Sequence, residues 1–248
     1  MTPQIDAPID VRAVFANKGA FQMQGLPPMT SPLPRVVQVG FNKCATRSLT
    51  NLFAGSGHLS AHHKFKHLLA KNQNIALMMR ENIKAGRKVF DGFDHHVFYA
   101  DLMWQSKSET YEAFKDFRRI LSDYPDTILL LNIRGREAWI KSRVKHGHGT
   151  FLAMVMQAEG FASEAECLEF WRQDWEAHLA DVRAFMASKP TQLVEFNSDT
   201  QSVDELVAML PAYHLDAQAW GDVGRSRGRK LGLVGAYLKR LNARRKMR

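Results

Sequence analysis

The stretch Val36-Val37-Gln38-Val39-Gly40-Phe41-Asn42-Lys43-Cys44-Ala45-Thr46-Arg47-Ser48-Leu49 decides the fold. A β-branched run passes through Gly40 into a polar segment, and Leu49, Leu52 and Phe53 then recur at helical spacing. That order predicts a strand, an anion-binding loop and a helix. Such a loop aims backbone N–H groups at a phosphate, where the helix dipole favours negative charge. The residue order is not that of a nucleoside-triphosphatase loop, Gly-x-x-x-x-Gly-Lys-Ser/Thr, in which lysine comes late. Here Lys43 follows soon after Gly40, and the hydroxyl residues Thr46 and Ser48 come later.

Outward from this stretch, strand-like and helix-like segments alternate. Strands are predicted at 88–93, 127–133 and 192–196, with 58–66 a short strand or loop. Residues 128–131 form a continuous apolar run, the pattern of a central parallel strand buried on both faces. Helices are predicted at 68–85, 110–124, 137–146 and from about 150. Two more open on the capping boxes Ser163-x-x-Glu166 and Ser202-x-x-Glu205. Trp139, Phe170, Trp171 and Trp175 fall at helical spacings and read as core. The alternation predicts an α/β fold of the P-loop type, three-layer α/β/α, with a mostly parallel central sheet. Right-handed crossovers then gather the ligand loops at the carboxyl edge of that sheet. Residues 1–30 read as a loose arm, 31–224 as the α/β domain and 225–248 as a basic amphipathic C-terminal helix.

Bulk properties agree with one domain. The chain has 248 residues and is 45% hydrophobic, enough for a sizeable core. No apolar run approaches the roughly 18 residues of a membrane span. Residues 1–29 lack the basic start and apolar stretch of a secretory leader. Two cysteines, Cys44 and Cys167, do not make a disulfide framework, so a reducing cytoplasm is expected. Cys44, inside the loop, reads as a small packing residue rather than a nucleophile. The net charge of +9 is concentrated: ten of the 34 Lys and Arg fall in 225–248, where there is no acid. The remaining 24 face 25 acids, so the body is not a nucleic-acid-binding surface and no nucleic-acid partner is expected.

A second constellation lies at the end of the apolar run. Arg134 comes three residues after it, at the carboxyl end of the predicted strand, and Ser142 sits on the next predicted helix. A guanidinium fork suits a phosphate dianion, and a helix-borne hydroxyl adds a donor. The two constellations together resemble the sulfotransferases that use 3′-phosphoadenosine 5′-phosphosulfate (PAPS), in their bacterial form. Gly40, Lys43, Thr46, Ser48 and Leu49 match the family's 5′-phosphosulfate loop, Gly-x-x-Lys-x-Gly-Thr-Thr-Ser-Leu. Ala45 replaces a glycine and Arg47 a hydroxyl residue. Arg134 and Ser142 match the 3′-phosphate motif Leu-x-x-Arg-Asp-Pro-x-x-x-x-x-Ser, with Gly135 and Arg136 in place of Asp-Pro.

The resemblance implies sulfuryl transfer from PAPS to an acceptor hydroxyl or amine on a carbohydrate, lipid or small metabolite. Adenosine 3′,5′-bisphosphate is the other product, and no metal is expected. It places Gly40, Asn42, Lys43, Ala45, Thr46, Arg47 and Ser48 around the 5′-phosphate, with Lys43 on the bridging oxygen. Arg134 and Ser142 take the 3′-phosphate, and Arg227 belongs to a late basic loop that closes over the nucleotide. A general base is required. His62, His63 and Asp91 are the candidates favoured, ahead of Asp94, His95 and His96. The histidine pairs lack the spacing of a zinc site.

Beyond the domain, Leu231, Val234, Leu238 and Leu241 fall on one helical face among basic residues. This tail reads as a docked helix, as a contact for anionic lipid at the inner membrane face, or as an attractant for an acidic polysaccharide. Two rival functions stand beside the resemblance. A P-loop nucleotide kinase or NTPase would need a late Gly-Lys-Ser/Thr and a magnesium-binding Asp on a neighbouring strand. A non-catalytic nucleotide-binding protein with a membrane-tethering tail would need neither.

Overall fold

The computed structural model describes residues 33–65 and 73–221. The first strands are β1 (Val36–Gln38), β2 (Ser60–His62), β3 (Lys64–Phe65), β4 (Gln73–Asn74) and β5 (Phe98–Ala100). A separate hairpin pairs β6 (Trp104–Gln105) with β7 (Thr110–Tyr111), and β8 (Ile128–Ile133) and β9 (Leu193–Asn197) follow. The helices are α1 (Thr46–Gly55), α2 (Ile75–Lys84), α3 (Phe117–Asp123), α4 (Arg136–Val144), α5 (Thr150–Glu159), α6 (Glu164–Met186) and α7 (Val203–Met209). The main sheet runs β4-β3-β2-β5-β1-β8-β9, and its five strands from β2 to β9 are parallel.

Side-chain alternation on those strands sorts the core into two layers. Val36, Phe98, Leu130 and Phe196 point to one face and pack against Leu49, Leu52 and Phe53 of α1 and Leu206 of α7. Val37, Tyr99, Leu129 and Leu131 point to the other and meet Met79 of α2, Ile120 of α3, Trp139 of α4, Val155 of α5 and Trp171 and Trp175 of α6. A sheet with apolar side chains on both faces needs a helical layer on each, which gives the α/β/α sandwich the alternation predicts. Trp139, Trp171 and Trp175 are buried as expected, whereas Phe170 is exposed.

Three element expectations are corrected. The strand expected at 88–93 is a turn-rich loop. Gly92 takes a positive φ, and local bonds join Asp91 N to Lys88 O and Phe93 N to Phe90 O. Val89, Phe90 and Phe93 are buried from this loop, while the strand itself forms later, at β5. Apolar content there reflects burial without strand alternation. The helix expected over 110–124 begins only at Phe117, because Thr110–Tyr111 pairs with Trp104–Gln105 and a 3-10 turn intervenes. The helix expected at 68–85 begins at Ile75, where the Asn74 side chain accepts the Leu77 N–H as its cap. Residues 68–72 lie outside the described residues, as do the arm at 1–30 and the tail at 225–248, Arg227 included. Among the described residues, no helix is long and apolar enough to cross a membrane.

Candidate functional site

The carboxyl edge of β1 opens into the loop that leads to α1. Gly40 is required there by contact: a Cβ would stand 2.1 Å from the backbone oxygen of Asn132 on β8. Beyond it the chain turns through two left-handed residues, Lys43 at φ 67° and Ala45 at φ 61°. Ala45, which stands where the resembling motif has glycine, thus holds a left-handed shape that favours glycine.

The loop's carbonyl groups are taken up by side-chain donors. His178 Nε2 donates to Val39 O at 2.7 Å, and Trp139 Nε1 to Asn42 O at 3.0 Å. Arg134 Nη1 reaches Lys43 O at 3.4 Å. Gln38 Nε2 donates to Gly40 O and Asn132 Nδ2 to Cys44 O. Five carbonyls are therefore satisfied by β1, β8, α4 and α6. The α1 N-terminus, by contrast, has no side-chain cap and no acidic residue in its first turn. Unpaired N–H groups at a helix start are an anion site in waiting.

Cations surround this site. Lys43 is half-buried, and burial followed by the Arg47 charge lowers its ammonium pKa, while Asp101 pulls the other way. Arg134 follows the end of β8, with Nη2 3.4 Å from Asp199 Oδ1. Its Nε is buried without a hydrogen-bond partner among the described residues. Cys44 is fully buried, and burial pushes its thiol far up, so it packs and does not react.

His62, from β2, places Nε2 3.2 Å from Thr46 Oγ1 and 3.8 Å from Asp101 Oδ2. His63 Nδ1 lies 3.6 Å from the same carboxylate oxygen. Lys43, Thr46, Arg47, His62, His63 and Arg134 therefore meet at one edge of the sheet. Other expected site residues are placed differently. The Ser48 hydroxyl donates to Gly221 O at 2.9 Å. Ser142 sits half-buried on α4 and makes no hydrogen bond with a described residue. Asn42 is buried, its Oδ1 without a partner among the described residues.

Asp91 is not brought to this edge. It pairs with Arg87 at 3.2 Å in the loop that enters β5. In that loop Asp94 O accepts from Arg35, which precedes β1, so the loop lies at the amino edge of the parallel sheet. The acid that does reach the site is Asp101, immediately after β5 and at φ 55°. Its N–H donates to Gln38 Oε1 at 2.9 Å. The sequence signal for it was the apolar run Val97 to Ala100 ending in Asp, obscured by the strand expected at 88–93. His146, in the turn after α4, also belongs here: partial burial and then the Lys43 charge lower its imidazole, while Asp101 acts oppositely. Among the described residues, no three His, Cys, Asp or Glu side chains are grouped to hold a metal ion. Neither a protein-family model nor a curated protein matches the chain.

Proposed function

We propose that the chain is a PAPS-dependent sulfotransferase. The observation that carries this reading is the pairing of two anion grips on adjacent strands. One is the loop after β1, with five of its carbonyls already paired to side-chain donors and the N-terminus of α1 left uncapped. The other is Arg134 at the end of β8, held at that same loop by Lys43 O. A nucleotide phosphorylated at both 5′ and 3′ positions would use both. Lys43 would neutralise charge on the leaving 5′-phosphate, where a fixed cation serves the transition state more than the ground state. Thr46, Arg47 and the first N–H groups of α1 would hold that phosphate, and Arg134 with Ser142 the 3′-phosphate. The acceptor, a hydroxyl or amine, would enter on the side of His62, His63, Asp101 and His146. The free, buried state of both cysteines supports a reducing, cytoplasmic setting. A peripheral place at the inner membrane face rests on the charge of the tail alone.

Asp101 favours a second reading. It stands at the end of a strand beside β1, where a P-loop kinase or NTPase carries its magnesium-binding acid. The late Gly-Lys-Ser/Thr that such an enzyme needs is missing from the loop. Calorimetric titration separates the readings. The sulfotransferase should bind adenosine 3′,5′-bisphosphate about 10- to 100-fold more tightly than AMP, the worth of one charge-assisted grip on the 3′-phosphate. Arg134→Ala should erase that preference and leave AMP binding in place. Equal affinities, or tighter binding of magnesium ADP, would favour a kinase or a non-catalytic nucleotide binder. Full donor turnover by Lys43→Ala would remove lysine from the mechanism.

A further inference from the structure

Beneath the loop after β1, four charges of alternating sign cross the core from α4 to α6. Arg143, on α4, is 1% exposed, and its Nη2 donates to Glu112 Oε1 at 3.1 Å. Glu112 follows β7 and is almost enclosed. Lys115 Nζ lies 2.8 Å from Glu112 Oε2 and donates to Asp174 Oδ1 of α6 at 2.6 Å. Each cation in the chain is thus matched by a carboxylate.

The chain is built around Phe41. The Arg143 guanidinium carbon lies 4.6 Å from the ring centre of Trp171, 4.9 Å from Trp139, 5.1 Å from Phe151 and 5.7 Å from Phe41. Lys115 Nζ approaches the Phe41 ring to 5.6 Å. Phe41 also meets Trp139 at 4.8 Å, and Trp139 Nε1 donates to Asn42 O. Phe41 and Asn42 lead directly into Lys43 and its left-handed backbone. Arg143 Nε and Nη1 have no hydrogen-bond partner among the described residues, so the bond to Glu112 sets the direction of the guanidinium.

The same helix belongs to the other anion grip. α4 begins two residues after Arg134, and Ser142 is the residue before Arg143. The Arg143–Glu112 bond therefore ties the helix that bears Ser142 to the floor of the loop that bears Lys43. Burying an ion pair adds little stability over apolar side chains of equal volume, because desolvation offsets the attraction. What it adds is direction: a charge-assisted hydrogen bond is short and depends on angle, whereas an apolar contact can slide.

We propose that Arg143 and Glu112 are positioning residues that fix the spacing between the two phosphate grips, with Lys115 and Asp174 bracing them; this deepens the sulfotransferase reading and rests on it. Neither side chain of the pair touches the nucleotide, since both are buried under Phe41. Two grips held at the right span act as one bidentate site: the first phosphate bound presents the second at a high effective concentration. Grips free to shift against each other lose that advantage, although each still binds alone. The pair thus acts on selectivity for a doubly phosphorylated nucleotide rather than on anion binding as such.

The test measures one ratio by calorimetry on the full chain, the affinity for adenosine 3′,5′-bisphosphate over that for AMP. The double variant Arg143→Met with Glu112→Leu exchanges the pair for apolar side chains and leaves Lys115 to Asp174. It should bind AMP within about threefold of the wild type, while the ratio falls from about 10- to 100-fold to about threefold or less. A folded double variant that keeps the wild-type ratio overturns the proposal, even if both affinities have dropped together, because the pair would then hold the fold without setting the span. Should the double variant fail to fold, as its melting curve would show, Lys115→Met decides, since that side chain is about one-third exposed. A lowered ratio there supports the brace, and an unchanged one overturns it. A selective wild type with an equally selective variant removes the pair and leaves the sulfotransferase reading standing. A wild-type ratio near one removes both.

Discussion

Ala45 holds its backbone at φ 61° and ψ 21°, directly before the first turn of α1. An L-residue in that region pays roughly 1–2 kcal/mol. Glycine would remove the strain but add unfolded-chain entropy worth about 0.4–1 kcal/mol. Ala45→Gly should therefore stabilise the protein by about 0.5–1 kcal/mol, read as a higher urea midpoint at unchanged slope. Gly40, in the same loop, obeys the opposite rule. Its absent Cβ would fall 2.1 Å from a backbone oxygen of β8, which has no rotamer with which to retreat. Gly40→Ala should cost ~3 kcal/mol or more, because the central strand pair must separate to admit it. If Ala45→Gly lowers the midpoint instead, the left-handed conformation at 45 is wrong. Gly40 and Lys43 are legible in the sequence because they lie within one short motif. Gln38 is not. Read there as part of an apolar strand, it is a buried amide spanning Gly40, Asn132 and Asp101, and only the assembled sheet brings those groups together.

At the scale of elements, the ends of β8 and β9 act as a unit. Asp199, in the turn after β9, accepts the Gly135 N–H at 2.9 Å where α4 begins, and its other oxygen lies 3.4 Å from Arg134 Nη2. The carboxylate thus anchors the helix start and partly neutralises the cation assigned to the 3′-phosphate. Asp199→Asn keeps an acceptor for Gly135 and removes the competing charge. A half-exposed pair of this kind is worth about 0.2–1 kcal/mol, so bisphosphate binding should tighten up to about fivefold, with AMP unaffected. Calorimetry on both nucleotides measures this. Weaker bisphosphate binding would mean that Asp199 orients Arg134 more than it competes for it. The sequence makes β8 plain, since a continuous apolar run admits few alternatives, and Arg134 follows from where that run ends. It misplaces β5 because Val89, Phe90 and Phe93 supply apolar residues to the core from a turn, and with β5 it misplaces the acid. Asp91 looked eligible through its neighbours in sequence, whereas Asp101 is eligible through its neighbours in the sheet. The Glu112 carboxylate, likewise illegible, is buried beneath the loop against Arg143 and Lys115, with Trp139, Phe151 and Trp171 around the guanidinium.

Across the whole molecule, stability is tied to pH through histidines kept neutral by the fold. Burial lowers the pKa of His178, His62 and His96. His178 is the most deeply placed: its ring donates to Val39 O and packs against Phe41 and Phe114, at the base of the loop after β1. A histidine whose folded pKa lies below its unfolded value of about 6.5 binds fewer protons folded than unfolded. Stability must then rise with pH through that region and level off above it. Glu112 acts in the same direction at lower pH. Burial alone would raise its pKa, but Arg143 and Lys115 outweigh that and hold it below the usual carboxylate range. Its contribution is present above about pH 4.3 and is lost as pH falls through the depressed folded value. Asp116 opposes this, since burial raises its pKa while the Tyr111 hydroxyl holds it back. Across about pH 5 to 7, the range of an ordinary imidazole, the lowered histidines supply the rise. The unfolding temperature of the nucleotide-free protein should climb by about 5 °C across that interval and flatten above it. His178→Gln retains an N–H donor for Val39 O but does not titrate. It should lower stability throughout through lost ring contacts, and it should also reduce the slope between pH 5 and 7. A variant with lower stability and an unchanged slope would show that His178 packs the loop without contributing to its pH response.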